Sequence, residues 1–189
     1  PGEVVDTTFD LRDFTGSATI NGGGGIDALR ARDITQTWDI TDEDTGSVGA
    51  FTYDFIDQLI GGTGSDTFVL GVGVVNSINL IDGGTGANNL NLNALGGSRN
   101  VSLTAIGGGG GGVGFAGNAI LIDAFDNIGS VSAAGAANAL NGRDADATWT
   151  VDNSGLTYVS GQTLTATGFS VLTGGSADDD FTIADDITL

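Results

Sequence analysis

Aspartate side chains that follow glycine turns are the residues of this chain best suited to chemistry. The candidates are Asp27 after GGGGI, Asp66 after GGTGS, and Asp178, Asp179 and Asp180 after the glycine pair at 174–175. Carboxylate and carbonyl oxygens are the ligands that calcium prefers, and it takes roughly six to eight of them. One turn supplies about two or three, so a calcium site requires a neighbouring turn. The alternative is that each aspartate accepts hydrogen bonds from the amides of its own turn.

Most catalytic chemistry is excluded by composition. The chain has no histidine and no cysteine, and its five basic residues are all arginine. A serine triad, a thiol nucleophile and a lysine nucleophile are therefore impossible. A carboxylate pair, or arginine acting with calcium, would be the remaining route to a polysaccharide hydrolase or lyase. We predict that the chain is not an enzyme.

The charge balance restricts the partners of the chain. It carries 24 acidic residues and a formal net charge of −19. Such a chain repels nucleic-acid phosphates and anionic membrane surfaces, so binding to either is not expected. No apolar run reaches the length of a membrane span, and membrane insertion is not expected.

A short repeat organises the chain. Apolar residues at three-residue spacing precede two glycines, and an Asp or Asn and then a Leu or Phe follow at fixed offsets. The five copies are at 14–29, 53–68, 75–90, 125–140 and 166–181. The Asp or Asn position holds Asp27, Asp66, Asn88, Asn138 and Asp179. Repetition at this scale is typical of stacked architectures.

A longer repeat includes the shorter one. Gly22 and Ala133 occupy matching positions 111 residues apart, and Gly61 and Gly174 do so 113 residues apart. Trp38 and Trp149 open similar segments in the two copies. We therefore predict one segment over 1–189, with units at about 14–124 and 125–189, the second incomplete. The matched tryptophans favour a structural role over sugar stacking.

Short runs rich in Thr, Val, Ile and Phe lie between the glycine turns and predict strands. They include SATI, TFVL, VSLTAI, NAILIDA, TWTV and GLTYV. The predicted fold is all-β, a parallel β-solenoid of about eight coils whose strands stack at roughly 4.8 Å. A β-sandwich is the alternative.

The segment IGGTGSDTFVLG at 60–71 resembles the glycine-rich nonapeptide of RTX calcium-binding proteins. The wider unit, from the tryptophan to the Asp and Phe after the glycine turn, resembles repeats of large secreted bacterial adhesins of the filamentous-haemagglutinin type. That resemblance implies a right-handed β-helix displayed on the bacterial surface. The chain departs from true RTX rolls because its motifs are not in tandem, and because two of the five acidic positions hold asparagine.

These features predict an extracellular structural rod, a segment of a bacterial surface adhesin or matrix filament, with calcium as a possible stabilising ion. Its partners would be neighbouring repeats or subunits of the same protein. The alternative is a module that binds a glycan or a cell-surface protein through loops such as 107–118.

Overall fold

A computed structural model of the chain describes residues 5–108, 113–135 and 137–184. All regular secondary structure within these ranges is β-strand, so the predicted all-β class is confirmed. The strands form two mixed sheets, which are consistent with the sandwich alternative. No helix in the described ranges has the length and apolar character needed to cross a membrane.

The first sheet has nine strands. In spatial order they are β1 (Thr8–Asp10), β3 (Ala28–Arg30), β7 (Gln58–Ile60), β9 (Leu80–Asp82), β13 (Ile122–Ile128), β12 (Phe115–Ala119), β11 (Asn100–Ile106), β15 (Ala139–Asn141) and β19 (Val171–Thr173).

The second sheet has eleven strands. In spatial order they are β2 (Ala18–Asn21), β6 (Phe51–Asp54), β5 (Gly46–Val48), β4 (Thr37–Ile40), β8 (Thr67–Leu70), β10 (Asn89–Asn91), β14 (Ser130–Ser132), β18 (Thr163–Thr167), β17 (Gly155–Val159), β16 (Ala147–Asp152) and β20 (Asp179–Ile183).

The chain alternates between the two sheets. It crosses to the other sheet after each strand except within three antiparallel meanders, β4–β5–β6, β11–β12–β13 and β16–β17–β18. All other neighbouring strands are parallel, because the chain returns to a sheet only after crossing the other one. Turns at which the chain leaves the first sheet for the second therefore lie along one edge of the stack, which we name the first edge. Turns at which the chain returns to the first sheet lie along the opposite edge, which we name the second edge.

The two sheets enclose one hydrophobic core. Buried and exposed positions alternate along strands such as β8 and β18, as expected where one face of a sheet is covered. Phe115 of the first sheet lies 5.3 Å from Tyr158 of the second, measured between ring centroids. Trp38 and Trp149 are completely buried in this core. The predicted structural role of the tryptophans is confirmed, because neither ring is available to stack on a sugar.

Two parts of the stack have the same strand order. In the second sheet, β2–β6–β5–β4–β8 and β14–β18–β17–β16–β20 follow the same sequence of parallel, antiparallel, antiparallel and parallel pairs. In the first sheet, β1–β3–β7 and β11–β15–β19 are both parallel throughout. Trp38 pairs with Phe68 in one part and Trp149 with Phe181 in the other.

Two local predictions are wrong. NAILIDA, at 118–124, is not one strand, because the chain reverses at Ile120–Leu121 between β12 and β13, and Leu121 has a φ of 65°. Residues 115–118 are not a surface loop either, because they lie in β12 and Phe115 is buried. Residues 109–112 of the predicted binding loop at 107–118 lie outside the described residues.

Candidate functional site

The aspartates predicted to hold calcium lie on glycine turns that join the two sheets. Asp66 lies between β7 and β8, Asp178 lies between β19 and β20, and Asp179 is the first residue of β20, so all three lie at the first edge. Asp27 lies between β2 and β3 on the second edge. The structure therefore places Asp27 on a different edge from the others, and five strands of the second sheet separate β8, which follows Asp66, from β20, so Asp66 is also distant from Asp178, Asp179 and Asp180. No group of three or more acidic side chains in the described ranges is arranged as a metal site.

Along the first edge, the Asp or Asn side chains connect successive turns by hydrogen bonds. The Gln36 amide donates to Asp66 Oδ1 at 2.8 Å, and the Asp66 amide donates to Asn88 Oδ1 at 2.9 Å. Asn88 Nδ2 then donates to the carbonyl oxygen of Asn127 at 3.0 Å. Asp66, Asn88 and Asn127 are all completely buried. We name this chain of contacts the first-edge ladder.

The second edge has ladders of the same kind. The Thr7 amide donates to Asp27 Oδ1 at 2.8 Å. The Arg99 amide donates to Asn138 Oδ1 at 2.8 Å, and Asn138 Nδ2 donates to the Gly168 carbonyl at 2.7 Å. Asp27 Oδ1 and Asp66 Oδ1 therefore accept hydrogen bonds from the amides of neighbouring turns, which differs from the predicted cap on their own turn.

A glycine five residues before Asp66, and another five residues before Asn88, makes room for the ladder side chain. A Cβ atom on Gly83 would lie 2.5 Å from Asn88 Nδ2 and 2.6 Å from the Asn127 carbonyl oxygen. A Cβ on Gly61 would lie 2.5 Å from Asp66 Oδ2 and 2.6 Å from the Gly83 carbonyl oxygen. Real side chains do not tolerate such distances, so the fixed glycine-to-Asp/Asn spacing serves to seat the ladder side chain against the backbone.

Asp66 occupies the same geometry as Asn88 without the same hydrogen-bonding capacity. Its Oδ2 is buried and has no hydrogen-bond partner. This Oδ2 and the Gly83 carbonyl oxygen flank the Cβ position of Gly61 in the same way that Asn88 Nδ2 and the Asn127 carbonyl oxygen flank that of Gly83. A carboxylate has no donor, whereas a protonated carboxyl does. Burial raises the pKa of Asp66 to about 6, the hydrogen bond from the Gln36 amide opposes this, and nearby Asp33 adds to it.

The acidic residues near β20 have different environments. The Asp178 amide donates to Asp146 Oδ1 at 3.2 Å, and Asp179 Oδ1 accepts a hydrogen bond from Trp149 Nε1 at 2.9 Å. The side chains of Asp178 and Asp180 are exposed. Of the predicted calcium ligands, these two are the ones that reach solvent most freely.

Sequence reasoning missed Asn88 and Asn138 as functional positions. Both were interpreted as departures from a calcium motif, yet both are completely buried and carry the ladders. Their occurrence at the same offset as the aspartates was the available signal. Asn127, which also belongs to the first-edge ladder, occupies no motif position and had no such signal.

The two tryptophans allow a matched test of the hydrogen bond that Asp179 accepts from Trp149. Trp149 Nε1 donates to Asp179, whereas Trp38 Nε1 is buried with no partner. We expect Trp149→Phe to lower the free energy of unfolding by about 1–2 kcal/mol more than Trp38→Phe, because it breaks a hydrogen bond to an acidic group. Urea unfolding of both variants measures this difference, and equal losses would contradict the assigned contact.

No protein-family model, no curated protein and no solved structure matches this chain.

Proposed function

We propose that the chain is a structural segment of a repeated bacterial surface protein, an adhesin or a matrix filament, folded as a parallel β-solenoid. The observation that carries the proposal is the repeated strand order in both sheets. Repeated units that bury their apolar faces against one another form extended arrays rather than closed globules. The resemblance to filamentous-haemagglutinin-like repeats supports the same proposal, with a right-handed coil.

The ladders support a structural role for the chain. Each buried Asp or Asn connects the turn of one level to the turn of another, so the levels are joined by side chains as well as by strand pairing. Buried side-chain hydrogen bonds of this kind fix one arrangement of the backbone. A stack of parallel strands spaced by roughly 4.8 Å makes a rod of about 40–50 Å from this chain.

Location and shape can be tested separately. Antibodies raised against the purified chain should label intact cells of the source organism, and labelling only after lysis would refute surface display. Small-angle X-ray scattering of the chain should give a skewed distance distribution with a maximum dimension of roughly 50 Å or more. A symmetric distribution, typical of a sphere, would contradict the rod.

Calcium stabilisation is part of the proposal, and the structure favours Asp178 and Asp180 over Asp27 and Asp66. Asp27 and Asp66 each commit one oxygen to a backbone amide and bury the other. We expect millimolar calcium, but not magnesium, to raise the melting temperature, and D178N/D180N to remove the rise. Circular dichroism melts measure this, and an unchanged melting temperature of the parent chain would refute the calcium site.

A glycan-binding module is the second candidate function. An open groove of about 440 Å³ lies on the outer face of the second sheet, and Arg32, Gln36, Thr37, Asp39 and Ser47 contribute to its lining. These side chains offer both donors and acceptors, as sugar hydroxyls require. A glycan array with the parent chain and Arg32→Ala tests it, and binding that is lost in Arg32→Ala would favour this function.

A further inference from the structure

The connection between β4 and β5 is longer and more acidic than its counterpart in the second unit. It has five residues, 41–45, whereas β16 and β17 are joined by two residues. The additional length contains Asp42, Glu43 and Asp44, and we name 41–45 the acidic turn. Because the two units have the same strand order, the stack itself does not require these acidic residues.

Phe55, close to the acidic turn, is a second feature that the stack does not require. Phe55 follows Asp54, the last residue of β6, as Gly168 follows Thr167, the last residue of β18. The φ angles of Phe55 and Gly168 are 56° and 79°. Glycine adopts such a φ without strain, but a bulky side chain does not. The Phe55 side chain is 48% exposed, so only part of it packs against the protein. Strain of this kind is found most often at functional sites.

The loop at 71–77 lies on the far side of the acidic turn from Phe55. In the second sheet β5 and β4 separate β6 from β8, so the ends of β6 and β8 are about 14 Å apart. The loop follows β8 and carries Val72, which is 79% exposed, and Val75, which is 68% exposed. The acidic turn therefore has an exposed apolar group on each side.

Hydrogen bonds hold the acidic turn to both of its neighbours. The Ile56 amide donates to the Asp44 carbonyl oxygen at 3.0 Å, on the side of Phe55. Asn76 Nδ2 donates to Glu43 Oε1 at 2.7 Å, on the side of the loop at 71–77. The three segments thus form one preformed surface. We name it the second-edge patch, and it comprises Asp42, Glu43, Asp44, Phe55, Val72 and Val75.

The charge of the second-edge patch is negative and is not balanced locally. No lysine or arginine occurs at 41–45, 54–57 or 71–77. A hydrogen bond between the Asp42 and Glu43 carboxyl groups raises the pKa of Asp42 and lowers that of Glu43. Two carboxyl groups this close repel each other when both are ionised, and a cationic group placed over them relieves the repulsion.

We propose that the second-edge patch binds a cationic amphipathic peptide segment of another protein. Apolar side chains of the peptide contact Phe55 at one end of the patch and Val72 and Val75 at the other. Lysine or arginine side chains between them lie over the acidic turn. The spacing of about 14 Å corresponds to roughly four residues of an extended chain or nine of a helix. Single exposed apolar residues need no explanation, but their combination with unbalanced charge and a strained aromatic residue does.

Fluorescence anisotropy with two labelled peptides of equal charge tests the apolar part of the patch. The probe is a peptide of about twelve residues with alternating leucine and lysine, and serine replaces leucine in the reference peptide. In about 0.15 M NaCl we expect the parent chain to bind the probe at least tenfold more tightly than the reference. F55S/V72S/V75S should remove this preference. I34S/I120S/V171S, at apolar positions about as exposed as Phe55, should keep it.

The acidic part of the patch is tested at matched net charge. D42N/E43Q/D44N should weaken binding of the probe at least fivefold more than D13N/D123N/D180N, which removes the same charge from three exposed positions elsewhere. Equal weakening by the two variants would show that only the overall charge attracts the peptide, and this would overturn the proposal. A parent chain that binds the probe and the reference equally would also overturn it.

Phe55→Gly separates binding from packing, because it copies Gly168 of the second unit. Glycine relieves the backbone strain, so we expect the urea midpoint to be unchanged or higher, while affinity for the probe falls at least threefold. A clear fall in the midpoint would assign Phe55 to packing and would overturn its proposed role. Peptide binding does not depend on surface display or on a rod shape, so its failure is distinguishable from failure of the proposed function.

Discussion

Replacing Asn88 by alanine is expected to lower the free energy of unfolding by about 2–6 kcal/mol. The Asn88 side chain accepts a hydrogen bond from the Asp66 amide and donates one to the Asn127 carbonyl oxygen. All three residues are completely buried. The substitution leaves one donor and one acceptor without partners in the interior, at about 1–3 kcal/mol each. Water cannot replace the lost contacts unless it enters the core.

Asn89→Ala is the matched control for this experiment. Asn89 is the next residue, is only partly buried, and donates to Ser130 Oγ at 2.8 Å. Its loss should lower stability by less than about 1 kcal/mol, because solvent can satisfy the freed groups. Urea unfolding followed by circular dichroism measures both variants. If the two losses were similar, the first-edge ladder would not be a major source of stability.

Replacing Asp66 by asparagine is expected to stabilise the chain near pH 8 by about 1–2 kcal/mol, after allowance for screening by solvent. Burial raises the pKa of Asp66 from 3.8 to about 6, so the folded chain favours the protonated acid. Its favourable contribution is complete below pH 3.8 and is lost as the pH rises through 6. Asparagine supplies a donor to the Gly83 carbonyl at every pH, as Asn88 does for Asn127.

The pH profile separates this mechanism from a simple change in net charge. The stability of Asp66→Asn minus that of the parent chain should be near zero at pH 4 and should increase up to about pH 7. Asp180→Asn removes the same charge from an exposed position and should show no such increase. Chemical unfolding at several pH values measures both. A constant difference across this range would show that Asp66 is not protonated against the Gly83 carbonyl.

The glycine motif predicted the corners of the fold correctly but not the partners of the corner side chains. Asp66 was expected to bind calcium or to cap its own turn, and the structure shows its Oδ1 bonded to the amide of Gln36, 30 residues earlier. Which amide becomes the partner depends on the number of residues between one turn on the first edge and the next turn on the same edge. The motif describes one turn and carries no information about that length.

The antiparallel meanders were also beyond prediction from the strand pattern. TWTV and GLTYV were both predicted as strands, and the two residues between Asp152 and Gly155 form the connection of a hairpin. A two-residue connection was a usable local signal. It could not show that the hairpin lies within a largely parallel stack, because that depends on how β16 and β18 pair with strands distant in sequence.

The aspartates on glycine turns show most clearly what the sequence determines and what the tertiary structure determines. The sequence alone determined that these residues follow turns, that short strands separate them, and that Trp38 and Trp149 are structural, because apolar periodicity and glycine spacing are local properties. Only the tertiary structure decided that Asp27 and Asp66 are buried on opposite edges and that Asn88 completes the ladder. The physical reason is that burial and hydrogen-bond partners arise from stacking one turn on another, which no single repeat contains.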